Sequence, residues 1–411
     1  MKRKGAVLLL MMTVTVLLTS CWSKKELTDL AIVAAMGVDK TKEGRYNITL
    51  QIINPGNVAG GLEGGGGGGG MQSPPVTIYS ASGENIVEAS RRASGRISRR
   101  LYYAHTNLVV VGERLAGEEG VEVLMDAFDR DPEFRTTSTL VIANGSTAAD
   151  LVKALTPLDK IPANKVLKTL EFTERQWGED VKVSLQDVMK GLQSSGEETI
   201  ASGFRIVGSP KQAQKLENLQ ESAPEATLRA SGIAVLKQGK LVDWLYGKTA
   251  RGTVWILDKI QGTAITIDWE GKKEAIVYKT VRQKTDVSSK MKNGQPHISV
   301  HTRVEGDIGE MEVPIDITNP KVITKIEQSL RKEIKNELKE TIKHAQKNKT
   351  DILGFGEVVH RSRPNEWKKI KSEWSDVYFP ELNVDITVEA YIRRAGLRNK
   401  SFLSGVKENQ K

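Results

Sequence analysis

The one cysteine of the chain, Cys21, closes the run Leu18-Thr19-Ser20-Cys21, and its setting points to a defined reaction. A thiol beside small residues, directly after an apolar stretch, suits S-diacylglycerylation and cleavage before the cysteine, as at a bacterial lipobox. Upstream, Lys2-Arg3-Lys4 gives a charged start and Ala6 to Leu18 an apolar run of 13 residues. That run is shorter than the ~20 residues that cross a bilayer as a helix, so residues 1–20 read as a lipoprotein signal peptide. The alternative is a plain secretory signal with an incidental cysteine. At about 0.8 kcal/mol per buried CH₂, two acyl chains anchor a protein where one is marginal. The mature chain is expected to be held at a membrane through diacylglycerol at Cys21.

The other chemical groups form no constellation. His297 and His301 are four apart, a zinc spacing on a helix, but Ile298-Ser299-Val300 between them favours a strand. On a strand they stand about 13 Å apart, too far to share a metal. His105, after Tyr102-Tyr103-Ala104, is expected to fix a helix-to-strand corner, since no pattern such as GxSxG offers it a nucleophile. Carboxylates are plentiful, so a glycosidase-like pair is not excluded by counting, yet no pair stands out. Gly354-Phe355-Gly356-Glu357 is too short for a nucleotide loop and suggests close packing around Phe355. A single cysteine excludes an intrachain disulfide, a CxxC pair and a cysteine-rich zinc site. No catalytic residue, metal site or cofactor is expected.

These groups must be placed by a chain of 411 residues, long enough for two or three domains. Apolar residues at 39% are ordinary for a globular protein. The formal charge of +9 includes Lys2, Arg3 and Lys4, and the rest is interspersed rather than gathered in a nucleic-acid-binding stripe. No nucleic-acid partner is expected. Asp29 to Lys40, Arg45 to Ile53 and Val76 to Ala81 read as strands. Between Pro55 and Pro75 lies Gly64 to Gly70, seven glycines, expected to form a flexible loop over 55–75 rather than a phosphate cradle. A helix is predicted over Glu84 to Tyr103, with Ile86, Ser90, Ala93, Ile97 and Leu101 on one face. Arg92, Arg96, Arg99 and Arg100 fall on a neighbouring, solvated face, or one that meets an anionic partner. Helices over Leu115 to Phe128, Ala148 to Leu155, Val166 to Gln176 and Leu185 to Leu192 alternate with strands at 107–111, 136–143 and 204–207.

The polar stretch 209–224 is the expected linker. Beyond it, Leu228 to Leu236 and Lys240 to Tyr246 form a hairpin about Gln238-Gly239, a helix covers Thr249 to Asp258, and a meander runs through 261–308. Asn319-Pro320 opens a long helix with the stripe Ile323, Ile326, Leu330, Ile334, Leu338 and Ile342. Shorter helices at 351–359 and 365–374 precede a last strand, Val384 to Ile392. The expectation is α+β in several subdomains. An N-terminal mixed strand-and-helix domain covers 21–208, and a C-terminal antiparallel sheet packed by a long helix covers 225–400. Residues 401–411 form a tail.

Several motifs, in order, resemble the Ger(x)C proteins, the C subunits of spore nutrient-germinant receptors. They are Cys21-Trp22-Ser23-Lys24-Lys25-Glu26-Leu27-Thr28-Asp29-Leu30-Ala31-Ile32-Val33, Arg99-Arg100-Leu101-Tyr102-Tyr103-Ala104-His105, Asp131-Pro132-Glu133-Phe134-Arg135 and Arg251-Gly252-Thr253-Val254-Trp255. Asp351-Ile352-Leu353-Gly354-Phe355-Gly356-Glu357, Trp374-Ser375-Asp376-Val377-Tyr378-Phe379-Pro380 and Tyr391-Ile392-Arg393-Arg394-Ala395-Gly396 continue them. Together they span nearly all of the mature chain. The seven-glycine run departs from the pattern, and Ala104 stands where the family often has Gly. The resemblance implies a non-enzymatic lipoprotein on the outer face of the spore inner membrane, working with receptor subunits A and B. It carries over one functional residue, Cys21. The rival expectation is a transporter's solute-binding lipoprotein, which would need two lobes of mostly parallel sheet. A wall-active hydrolase is a third reading.

Overall fold

In the computed structural model the described residues are 27–59 and 74–394, with Gly5 apart from them. The apolar run 6–18, Cys21, the seven glycines and the tail 401–411 lie outside that set.

Strand β1 (Leu30–Lys40) pairs antiparallel with β2 (Tyr46–Ile53), and β2 with β3 (Val76–Gly83). The two ends of the glycine-bearing segment are tied together. The Asn54 N–H donates to Pro75 O at 2.9 Å, and Asn54 Nδ2 to Pro74 O at 2.9 Å. Helix α1 (Ile86–Ser94) starts at Asn85, whose side chain accepts the Glu88 N–H. It stops at Gly95, well short of the expected Tyr103. Glycine costs a helix interior about 1 kcal/mol relative to alanine. Beyond it Arg100–Tyr102 forms β4, parallel to β1, where Leu101 gains burial in the sheet. Ile97, Leu101, Arg96, Arg99 and Arg100 therefore leave the predicted helical faces.

Strand β5 (Leu108–Gly112) leads to α2 (Glu113–Glu118) and α3 (Glu122–Arg130). The single helix expected over 115–128 is broken by Gly120, at φ +93°, where a Cβ would come within 2.9 Å of Gly239 O. Then follow β6 (Thr139–Ala143), α4 (Ala148–Lys153), α5 (Pro162–Gln176), α6 (Leu185–Gln193) and β7 (Thr199–Val207). Capping boxes Thr147/Asp150 and Ser184/Asp187 start α4 and α6. β5, β6 and β7 run parallel to β1. All five residues of β5 and of β6 are buried, because helices cover both faces of the sheet. Val109, Val111, Leu140 and Ile142 pack toward α1, α2, α3 and α6. Leu108, Val110, Val141 and Ala143 pack toward α4 and α5.

The stretch 209–224 does not divide the sheets. β8 (Thr227–Lys237) pairs antiparallel with β7, from Thr199↔Leu236 to Val207↔Thr227, and β9 (Lys240–Leu245) pairs with β8. The first sheet thus has the order β3-β2-β1-β5-β6-β7-β8-β9, with β4 beside β1. The supposed linker is a folded excursion. Buried Asn218 pins it by donating to Ala226 O at 2.9 Å and accepting the Ala226 N–H at 3.1 Å. The hairpin at Gln238-Gly239 has positive φ at both residues, as its turn chemistry predicts.

The second sheet begins after α7 (Gly247–Ile256). Its strands β10 (Ala264–Trp269), β11 (Lys272–Lys292) and β12 (Gln295–Met311) are the expected antiparallel meander. Helix α8 (Pro320–Lys347) buries Ile326, Leu330, Ile334 and Leu338 in the core that also holds Tyr278, Val300 and Val304. Short helices α9 (Phe355–Ser362) and α10 (Pro364–Ile370) follow. The last strand, β13 (Asn383–Arg394), joins β12 in parallel, because α8 to α10 carry the chain back across the sheet. The fold is α+β with two sheets.

Candidate functional site

The motifs of the sequence meet in pairs. Arg100 Nη2 reaches Glu133 Oε1 at 2.8 Å, and Tyr103 lies 5.9 Å from Phe134, which stacks on Phe128 at 4.6 Å. Burial pushes the Tyr103 phenol up to about 12. His105 stands in the turn between β4 and β5, edge-on to Tyr102 at 5.6 Å. It stands in a strand-to-strand turn rather than at a helix-to-strand corner.

The second meeting joins the two sheets. Asp351 follows the tight turn that ends α8 and is fully buried. Its carboxylate accepts the N–H of Phe355 at 3.1 Å, the N–H of Gly356 at 2.7 Å and Trp374 Nε1–H at 2.8 Å. It therefore caps α9 from four residues upstream, reaching across Gly354, which stands at φ +70°. Phe379 packs 6.4 Å from Phe355 and 6.3 Å from Trp374. Burial raises the Asp351 carboxyl to about 7, against the lowering effect of those three hydrogen bonds.

Against this cap lies the segment 194–198, which connects α6 to β7 of the first sheet. Gly196 O accepts the Glu357 N–H at 3.0 Å, and the Glu198 N–H donates to Asp351 O at 2.9 Å. Trp367 Nε1 donates to Ser195 Oγ at 3.3 Å. A cleft of about 810 Å³ opens beside the contact, lined by groups of both signs that include Lys190, Glu197, Lys259, Glu357 and Arg361. Burial raises the Glu197 and Glu198 carboxyls.

A third contact lies where α7 crosses α8. Arg251 Nε and Nη2 donate to Glu337 Oε1 at 2.9 Å and Oε2 at 2.6 Å, and Nη1 reaches Ala264 O at 3.2 Å. Glu337 is 2% exposed, so this two-pronged pair is an interior feature. Burial is the larger influence on its carboxyl and raises it. Gly252 lets the helices approach: a Cβ there would fall 2.9 Å from Thr341 Cβ. Asp243, on β9, accepts from His344 of α8 and from Asn348, the residue that caps its end, at 2.6 Å each. The Arg-Gly-Thr-Val-Trp motif thus holds α7 against α8 and β10, while Asp243 ties the first sheet to the end of α8.

His297 and His301 lie on β12, as the residues between them predict, each beside a carboxylate of β13: Asp385 at 2.6 Å and Glu389 at 3.3 Å. Among the described residues no group of three or more His, Cys, Asp or Glu is placed to hold a metal, and no helix is long and apolar enough to cross a membrane. Sequence reasoning missed Asp351 and Glu337. Glu337 carried a signal: an acid on the buried side of the α8 stripe needs a partner. Asp351 carried one only through its place ahead of Gly354 and Gly356. The two sheets are thus tied together at two places, the Asp351 cap against residues 194–198 and the contacts of α8 with Asp243 and Arg251.

Two family models match the chain. One, described as the spore germination protein N-terminal domain, matches residues 23–206. The other, described as spore germination B3/GerAC like, C-terminal, matches residues 231–396. Spore germination protein KC of Bacillus subtilis (strain 168) is 47% identical over 410 residues, covering 100% of both chains. Spore germination protein B3 of the same organism is 22% identical over 367 residues, covering 88% of this chain and 90% of that one. Among solved structures, the GerBC protein aligns with a TM-score of 0.54 at 19% identity, over 87% of this chain and 96% of that one. It shares the fold.

Proposed function

The chain belongs to the spore germination B3/GerAC family, and we propose that it is the C subunit of a spore germinant receptor. In this reading it is a non-enzymatic protein required for the germination response to nutrients. The observation that carries the proposal is the full-length identity to spore germination protein KC, which leaves no segment of either chain unmatched. Residues 1–20 direct export, and Cys21 takes a diacylglycerol that holds the mature chain on the outer face of the spore inner membrane. Subunits A and B are its partners there. A shared membrane raises the effective concentration of partners without any new contact, which explains why an anchor serves a receptor of separate chains. In this reading the two sheets, tied together at Asp351 and at Asp243, act as a relay.

Co-purification from spore inner membrane tests the assembly. A tagged copy of the chain solubilised in mild detergent should retain subunits A and B. Recovery of the tagged chain without either subunit, from membranes that contain both, would refute the reading.

A further inference from the structure

Helix α8 carries seven lysines and four acids, and the structure sorts them. Lys321, Lys325, Lys332, Lys339, Lys343 and Lys347 are exposed. At 100° per residue they fall within an arc of roughly 80°, and over about 40 Å of helix only Ser329 and Asn336 interrupt them. The acids are turned elsewhere. Glu333 pairs with Lys248 at 2.6 Å, Glu337 with Arg251 at 2.6 Å, and Glu327 with Arg331 at 3.4 Å. Glu340 alone is exposed and borders the arc. From neighbouring elements, Asp268 and Glu270 share a shallow pocket with Lys325 and Lys332, and Asp268 already accepts the Glu274 N–H. A solvated helix face ordinarily mixes both signs in i,i+4 pairs. Among the described residues, none of the six lysines is in an ion pair.

We propose that this lysine ridge docks the protein on the anionic phosphate headgroups of a lipid bilayer. It rests on the reading that the chain works at a membrane, and adds to the anchor a surface that fixes how the chain lies. The opposite stripe of the helix is buried, so the six ammonium groups stand along one exposed side that a charged surface can meet together. An acidic protein fits less well. Protein interfaces deplete lysine and are built on a desolvated apolar or aromatic centre; the arc itself contains neither, and Trp269, which lines the pocket beside Lys325 and Lys332, is packed against the core. Lysine suits a layer of mobile phosphates, where a flexible point charge is enough and no fixed fork is needed. Beside an anionic leaflet each lysine is worth roughly fivefold in partitioning, and the effect fades beyond a Debye length of about 8 Å.

The test uses the full-length chain, purified in detergent and diluted onto preformed vesicles of phosphatidylcholine alone or with one-third phosphatidylglycerol. Wild type should partition at least tenfold better onto the anionic vesicles at low salt and lose the preference in high salt. Replacing Lys321, Lys332, Lys339 and Lys343 with Gln should abolish the increment. Replacing the same four with Arg should keep it, and so should Gln at the exposed Lys42, Lys211, Lys273 and Lys290. Equal partitioning of wild type onto both vesicles, or an undiminished increment in the ridge variant, overturns the proposal. Ridge-dependent capture of an acidic subunit without any vesicle preference overturns it too. Failure of the anchor reading shows separately, as no binding to neutral vesicles, and leaves the anionic increment readable.

Discussion

Gly196, in the connection between α6 and β7, and Gly356, in α9, touch through their backbones: a Cβ on either would stand 2.6 Å from the other's main chain. Neither glycine is there for a left-handed backbone. Both are there for space, and the Glu357 N–H to Gly196 O bond depends on the approach. Gly356→Ala should therefore lower stability by about 1–3 kcal/mol, the cost of overpacking a closed contact. Ala at the open position Gly56, where nothing lies within 4 Å of a Cβ, serves as the control. Thermal unfolding measures both, and equal melting temperatures for the two variants would contradict the account of the joint.

Asp351 makes the joint sensitive to pH. Its carboxyl is raised from 3.8 to about 7, so the folded chain holds this proton to higher pH than the unfolded chain. The stabilisation from that proton is complete below about pH 4, declines as pH rises, and is gone above about pH 7. A single group of this kind contributes at most about 1.4 kcal/mol per pH unit across the window. Asp351→Asn removes the titration while keeping the shape. The stability difference between wild type and variant should thus move in the variant's favour from pH 4 to pH 7. Denaturant titrations across that range read it. Parallel stability curves would contradict the assignment.

Arg251 and Glu337 should behave as a desolvated pair. Removing one partner strands the other, so Arg251→Met and Glu337→Met should each cost about 3–5 kcal/mol. The double variant, with apolar groups on both sides, should cost much less than their sum. A double-mutant cycle on unfolding free energies measures the coupling, and additive losses would show that the two side chains do not act together.

Much of this was readable in the sequence where the signal is local. The Gln238-Gly239 turn, the Asn319-Pro320 helix start and the stripe from Ile326 to Ile342 each rest on a few neighbouring residues, and each is present. What misled was non-local. A helical period continued numerically past Gly95, but Leu101 is drawn to β1 instead. The polar run 209–224 has a linker's composition, yet residues on either side of it pair as β7 and β8. The cap at Asp351 has a local part, its place ahead of Gly354 and Gly356, but its third hydrogen bond comes from Trp374, 23 residues downstream, which no local pattern shows.

The anchor is a claim about one atom. Cells given a radiolabelled fatty acid should label the wild-type chain, and Cys21→Ala should take up no label and stay unprocessed. Unlabelled wild type would refute lipidation at Cys21.

The central claim is that the chain is needed for a nutrient receptor to work, and germination measures that directly. In spores whose other nutrient receptors have been removed, deletion of this chain should abolish the response to the remaining receptor's nutrient. Re-expression of the wild-type chain should restore it. Spores lacking the chain that still germinate at the parental rate with every nutrient the parent responds to would contradict the account.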